Sequence, residues 1–180
     1  MKIELAQNYG FCFGVKRAIK IAEENTNSVT YGPLIHNSKE IGRLDKNFKV
    51  GLNEDFKSFK AGEKVIVRTH GIVKDELVQL HSKGVDVVDA TCPYVTKPQE
   101  ICQEMSEAGY DVLIFGDEQH PEIKGVKSYA THGARVVTSV EDVKNMKFKE
   151  NIALVAQTTR KVEDYMMIVN YLIPRYKEVR

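Results

Sequence analysis

Two cysteines stand where thiolate chemistry is expected: Cys12 in Gly10-Phe11-Cys12-Phe13-Gly14-Val15, and Cys92 in Asp89-Ala90-Thr91-Cys92-Pro93. Each follows a stretch with strand character and precedes one with helical periodicity. Two thiols at the carboxyl ends of strands, far apart in sequence, point to shared ligation of one metal centre. Zinc sites often use paired Cys-x-x-Cys spacing, which is absent here. Iron–sulfur clusters accept single, widely separated cysteines because the inorganic core supplies the bridging sulfides. Gly10 and Gly14 permit a tight strand-to-helix turn and a close backbone approach to a thiolate. Cys102 differs, lying in a helical pattern beside the core-spaced Ile101, Met105 and Ala108, and is expected to be a buried structural thiol.

Other polar groups fall at the same kind of place. His36 ends Tyr31-Gly32-Pro33-Leu34-Ile35-His36, and His70 ends Val65-Ile66-Val67-Arg68-Thr69-His70. Asp111–Gly116 leads through a short acidic loop to His120-Pro121-Glu122, and Ile152–Ala156 leads to Gln157-Thr158-Thr159. In open α/β sheets, ligands bind beyond the carboxyl ends of the strands. Three histidines near a cluster suit a polyanion such as a diphosphate, through hydrogen bonds and partial positive charge. A histidine-rich pocket beside a redox cluster points to reduction of a phosphorylated substrate. Taken singly, Glu122 would suit a helix N-terminus and Thr158 would suit the N-cap of the last helix. His81 and His132 are expected to be ordinary surface residues.

The elements that must position these groups alternate along the chain. Strands are predicted at Ile3–Gln7, Val29–Leu34, Lys64–Thr69, Val85–Ala90, Asp111–Gly116, Arg135–Thr138 and Ile152–Gln157. Helices are predicted at Val15–Asn25, Val73–Ser82, Lys97–Ala108 and Lys161–Ile173, with a short one opened by the capping-box pattern Ser139-Val140-Glu141-Asp142. Val162, Met166, Val169 and Ile173 are the expected inward face of the last helix. The alternation predicts an α/β fold of two similar small domains, each a parallel sheet flanked by helices. Thr69-His70-Gly71 is echoed by Thr131-His132-Gly133, a weak sign of duplication.

A chain of 180 residues suits one large domain or two small ones, and its net charge of +1 gives no basic field for nucleic acid. No apolar run reaches the length of a membrane span, and the N-terminus lacks the apolar core of a signal peptide. A cytoplasmic location is expected.

Six motifs together resemble the 4-hydroxy-3-methylbut-2-enyl diphosphate reductase family, the terminal enzymes of non-mevalonate isoprenoid synthesis. They are Gly10–Val15 with Arg17-Ala18, Ile35-His36-Asn37, Thr69-His70-Gly71, Asp89–Pro93, His120-Pro121-Glu122 and Gln157-Thr158-Thr159. The resemblance implies similar α/β domains around a central cleft holding a 4Fe–4S cluster. It implies that Cys12 and Cys92 ligate the cluster, while His36, His70, His120 and Thr158 bind or orient the allylic diphosphate substrate. Glu122 would be the catalytic proton donor, with ferredoxin or flavodoxin delivering electrons. The products would be isopentenyl and dimethylallyl diphosphate.

The family also has a third domain that supplies a third cysteine ligand and a Ser-x-Asn segment, and these 180 residues contain neither. The expected division is residues 1–12 as an N-terminal strand and first ligand loop, 13–92 as the first α/β domain and 93–180 as the second. Such a truncated form is expected to bind a cluster poorly and to be inactive. The rival readings are a zinc-dependent hydrolase using His36, His70, His120 and Glu122, and a non-enzymatic phosphate-binding module.

Overall fold

Near-continuous apolar runs such as Val112–Phe115 must be covered on both faces, because successive strand residues point to opposite sides of a sheet. The computed structural model, which describes residues 3–7 and 9–180, meets that demand twice. In chain order the elements are α1 (Phe13–Glu24), β1 (Ser28–Tyr31), α2 (Ser38–Phe48), β2 (Val50–Asn53), β3 (Lys64–Val67), α3 (Lys74–Ser82), β4 (Asp86–Asp89) and α4 (Pro93–Glu107). There follow β5 (Asp111–Phe115), α5 (Pro121–Lys127), β6 (Ala134–Val137), α6 (Val140–Lys144), β7 (Asn151–Ala156), α7 (Val162–Leu172) and β8 (Glu178–Val179).

The strands form two parallel four-stranded sheets of the same topology, β2-β1-β3-β4 and β6-β5-β7-β8. The expected α/β class with two similar sheets is therefore observed. Ile66 packs with Ala18, Leu34 and Leu44 on one face of the first sheet, while Val65 and Val67 pack with Phe59 and Leu80 on the other. In the second sheet Val112 and Ile114 face Cys102 and Ile123, and Leu113 and Phe115 face Ile168 and Leu172. Among the described residues no helix is long and apolar enough to cross a membrane.

In each sheet the chain leaves a central strand toward one edge and returns on the other side, which opens a crevice at the carboxyl ends of the two central strands. The register levels those ends: Tyr31 lies opposite Val67, and Phe115 opposite Ala156. Helix α4 joins the halves. Its N-cap follows β4 of the first sheet, and its body packs in the core of the second.

Several expectations are corrected. Ile3–Gln7 forms no strand. A strand needs a neighbour for its backbone hydrogen bonds, and here Ile3 and Leu5 stay 75% and 80% exposed. Met1, Lys2 and Asn8, which the expected 1–12 unit includes, lie outside the described residues. Helix α4 begins at Pro93 rather than Lys97, since proline suits a first helical turn, and it continues through Pro98. The buried stripe of α7 carries Ile168 and Leu172, flanked by Tyr165 and Val169, while Val162, Met166 and Ile173 are exposed. The period is as predicted but the phase is rotated, because Met166-Met167-Ile168-Val169 is apolar all round. The echo at Thr131–Gly133 precedes β6, whereas Thr69–Gly71 follows β3, so the two are not equivalent. Topology pairs β3 with β7, and hence His70 with the Thr158 loop.

Leu172→Ala should lower stability by about 2–5 kcal/mol, whereas Val162→Ala, at a position 69% exposed, should stay within about 0.5 kcal/mol. Urea denaturation of both variants checks the helix phase, and the reverse order would restore the original one.

Candidate functional site at the strand ends

Thr69 organises the first half of the site. Its backbone N–H and its Oγ1 both donate to the Leu34 carbonyl, at 3.3 and 2.9 Å, which draws the end of β3 to the segment after β1. His36 and His70 thereby come within 4.7 Å, ring centroid to centroid. The Thr69 carbonyl then accepts the Cys92 N–H at 2.9 Å. One buried threonine thus fixes two imidazoles and a thiol. The sequence alone gives Thr69 no role of its own; its signal is its place in the Thr69-His70-Gly71 motif.

Cys12 and Cys92 are the N-cap residues of α1 and α4, and neither sulfur caps its own helix. Helix N-termini of this length favour anionic groups. Gly14 lets the two cysteine loops meet: a β-carbon there would collide with Cys92 Sγ. Arg17 Nη1 donates to the Thr91 carbonyl at 3.0 Å, which ties α1 to the Cys92 loop. Cys102 is fully buried in the second core, and burial pushes its thiol up to about 12, so it is the inert thiol expected.

The second half comes from β5 and β7. His120 caps α5, its Nδ1 accepting the Glu122 N–H at 3.2 Å, so the neutral ring carries its proton on Nε2. Its ring lies edge-on to His70, with centroids 5.8 Å apart. Glu122 is only 2% exposed. Its Oε1 accepts the Thr158 N–H and its Oε2 the Thr158 hydroxyl, both at 2.8 Å. Thr158 does not cap the last helix; Lys161 occupies that position. Gln157, also without an assigned role beforehand, accepts the Asp117 N–H at 2.9 Å and so links the loops after β5 and β7.

Cys12, Cys92, His36, His70, His120, Glu122 and Thr158 all line one cavity of about 540 Å³. His81 and His132 do not line it. His70 is held down to about 4, chiefly by burial and then by repulsion from His36, His120 and Arg68. The three clustered rings present nitrogen donors and acceptors to the cavity. Among the described residues no group of three or more His, Cys, Asp or Glu is arranged to hold a metal ion. The thiols that line the cavity are Cys12 and Cys92.

The chain belongs to the LytB protein family, whose profile matches residues 3–180. It is 74% identical, over all 180 residues, to a protein of Sulfurimonas denitrificans named 4-hydroxy-3-methylbut-2-enyl diphosphate reductase, and it covers 66% of that protein. A protein of the same name from Campylobacter curvus is 58% identical, with the same coverage of each chain. The chain thus spans 66% of the length of these curated relatives. Among solved structures, one described as (E)-4-hydroxy-3-methyl-but-2-enyl diphosphate reductase, the terminal enzyme of the non-mevalonate pathway, superposes with a TM-score of 0.85 at 37% identity. The match covers 99% of this chain and 66% of that one. The Plasmodium falciparum reductase structure gives 0.85 at 28% identity, covering 96% of this chain and 57% of that one.

Two outcomes follow from the geometry. The folded state takes a proton on His70 less readily than the unfolded chain does, whose histidines titrate near about 6.5. Stability is therefore complete above that pH and falls as pH drops toward about 4. Thermal melts across this range should show the slope, and His70→Asn should flatten it. Gly14→Ala should displace Cys92 and lower stability by about 1–3 kcal/mol, with a changed alkylation rate at Cys92; an unchanged rate would contradict the close approach.

Proposed function

We propose that this chain carries the cleft of a 4-hydroxy-3-methylbut-2-enyl diphosphate reductase. The reaction is R–OH + 2 e⁻ + 2 H⁺ → R–H + H₂O, giving isopentenyl and dimethylallyl diphosphate. The observation that carries the reading is that two thiols at helix N-cap positions, three imidazoles and a buried Glu–Thr pair line one cavity in a LytB-family chain.

In this reading Cys12 and Cys92 hold a 4Fe–4S cluster. The sequence contains three cysteines and Cys102 is sealed in the core, so a third thiolate has to come from outside these 180 residues. When bound, the cluster supplies electrons and a Lewis-acidic iron. The rest of the work belongs to the chain's own groups. His36, His70 and His120 hold the diphosphate, and a bound anion favours the protonated form of His70, which burial disfavours in its absence. Glu122 and Thr158 form a relay. The hydrogen bond between Oε2 and the Thr158 hydroxyl reverses when Glu122 is protonated, and the threonine then donates toward the substrate hydroxyl. Protonating that hydroxyl lets it leave as water, which an allylic hydroxide alone does poorly.

The division into residues 13–92 and 93–180 accompanies this reading, with α4 starting the second unit. Ferredoxin or flavodoxin is the proposed electron donor, and the cytoplasm the proposed location. Zinc hydrolysis has no observation in its favour beyond the histidines themselves.

Anaerobic reconstitution with iron and sulfide tests the ligand assignment. Cys12→Ser and Cys92→Ser should each reduce bound iron, and Cys102→Ser should not. Equal iron in all three would overturn it. In a preparation that reduces the allylic diphosphate, Glu122→Gln should lower turnover by about 10²-fold or more with bound iron unchanged. Turnover like that of the unsubstituted protein would remove Glu122 from proton delivery.

A further inference from the structure

The loop after β3 and helix α5 belong to different sheets, yet their backbones approach closely at Gly71 and Gly125, with one side-chain amide between them. A β-carbon on Gly125 would lie 3.4 Å from the Ile72 carbonyl oxygen and 3.7 Å from that of His70. A β-carbon on Gly71, whose φ is +72°, would lie 2.8 Å from Gln99 Nε2, and the same nitrogen would be 3.6 Å from a β-carbon on Gly125. Gln99, on α4, is 5% exposed, so its amide fills the gap between the two glycines. Polar contacts flank the junction. The Lys74 N–H donates to Ser128 Oγ at 2.9 Å, that hydroxyl donates to the Gly125 carbonyl at 2.6 Å, and Lys74 Nζ donates to Gln103 Oε1 at 3.0 Å.

Position along the chain gives this junction its meaning. Gly71 directly follows His70, and Gly125 lies in the short helix capped by His120. The two rings face each other from different sheets at 5.8 Å, and the junction is the nearby contact that joins their backbones. We propose that the Gly71–Gln99–Gly125 junction sets the spacing of His70 and His120 across the cleft, making Gln99 and Gly125 positioning residues for anion binding. A diphosphate presents two phosphate groups held at a fixed separation by one bridging oxygen, so donors that drift apart grip only one of them. Misplacing groups by about 1 Å at such a site is enough to lose up to about 10²-fold in function. The affinity part of this inference rests on the diphosphate reading above; the spacing part does not.

The test compares Gly125→Ala with Gly125→Val. An alanine β-carbon makes ordinary contacts there, whereas valine methyls have to push the loop off α5. Inorganic pyrophosphate affinity is measured by calorimetry, and the His70–His120 ring contact by nuclear Overhauser effect. Gly125→Ala should keep both. Gly125→Val should lose the ring contact and bind pyrophosphate about tenfold or more weakly. If Gly125→Val does not fold, Gln99→Ala, which empties the gap, should move both readouts in the same direction. A retained ring contact in the folded wedge or gap variant overturns the proposal, as does a lost contact with unchanged affinity. If the unsubstituted chain fails to bind pyrophosphate, the diphosphate reading fails and the ring contact alone decides the junction's role.

Discussion

Everything at this site depends on two sheets of identical topology presenting their carboxyl ends to the same space. A parallel sheet with strand order 2-1-3-4 has one crevice, between its two central strands. His36 and His70 come from that crevice in the first sheet, and His120 and Thr158 from the equivalent crevice in the second. The ring contact between His70 and His120 is where the crevices join. Residues from both sheets therefore line one cavity.

The local chemistry then follows from which groups are already satisfied. Glu122 has both oxygens engaged by Thr158, so it sits buried without an unmet hydrogen bond. The cysteine sulfurs, by contrast, cap nothing and remain available as ligands. Thr69 spends its polar groups on Leu34 and Cys92, purely to hold its neighbours in place. Gly14 does the same by having no side chain at all. Groups that line the cavity and groups that position them thus occupy adjacent places in the same short motifs.

That adjacency explains what was legible in the sequence. His36, His70, His120 and Thr158 stand out because polar side chains follow closely on apolar strands, whereas Cys12 and Cys92 stand out by their glycine- and proline-flanked motifs. Thr69, Gln157 and Gln99 were opaque because their roles exist only across contacts between segments 35 to 40 residues apart or between sheets. The central strands were legible from their apolar runs. Strand β2, Val50-Gly51-Leu52-Asn53, was missed because its glycine and asparagine break the apolar pattern, and β8 because it is two residues long. Helix α2 was missed although Asn37 accepts the Glu40 N–H as an N-cap, a signal overlooked beside His36. In α7 the apolar residues are too many for the sequence to select a phase, and packing against Phe115 and Leu113 decided it.

The central claim is that the imidazoles at the two crevices form one anion site. The most direct measurement is the histidine ¹H–¹⁵N spectrum of the chain titrated with inorganic pyrophosphate. The chain has five histidines, so each ring can be followed separately. The account predicts that His36, His70 and His120 shift together along a single binding curve while His81 and His132 stay still. Shifts confined to His81 or His132, or three cavity imidazoles that ignore the anion, would contradict it.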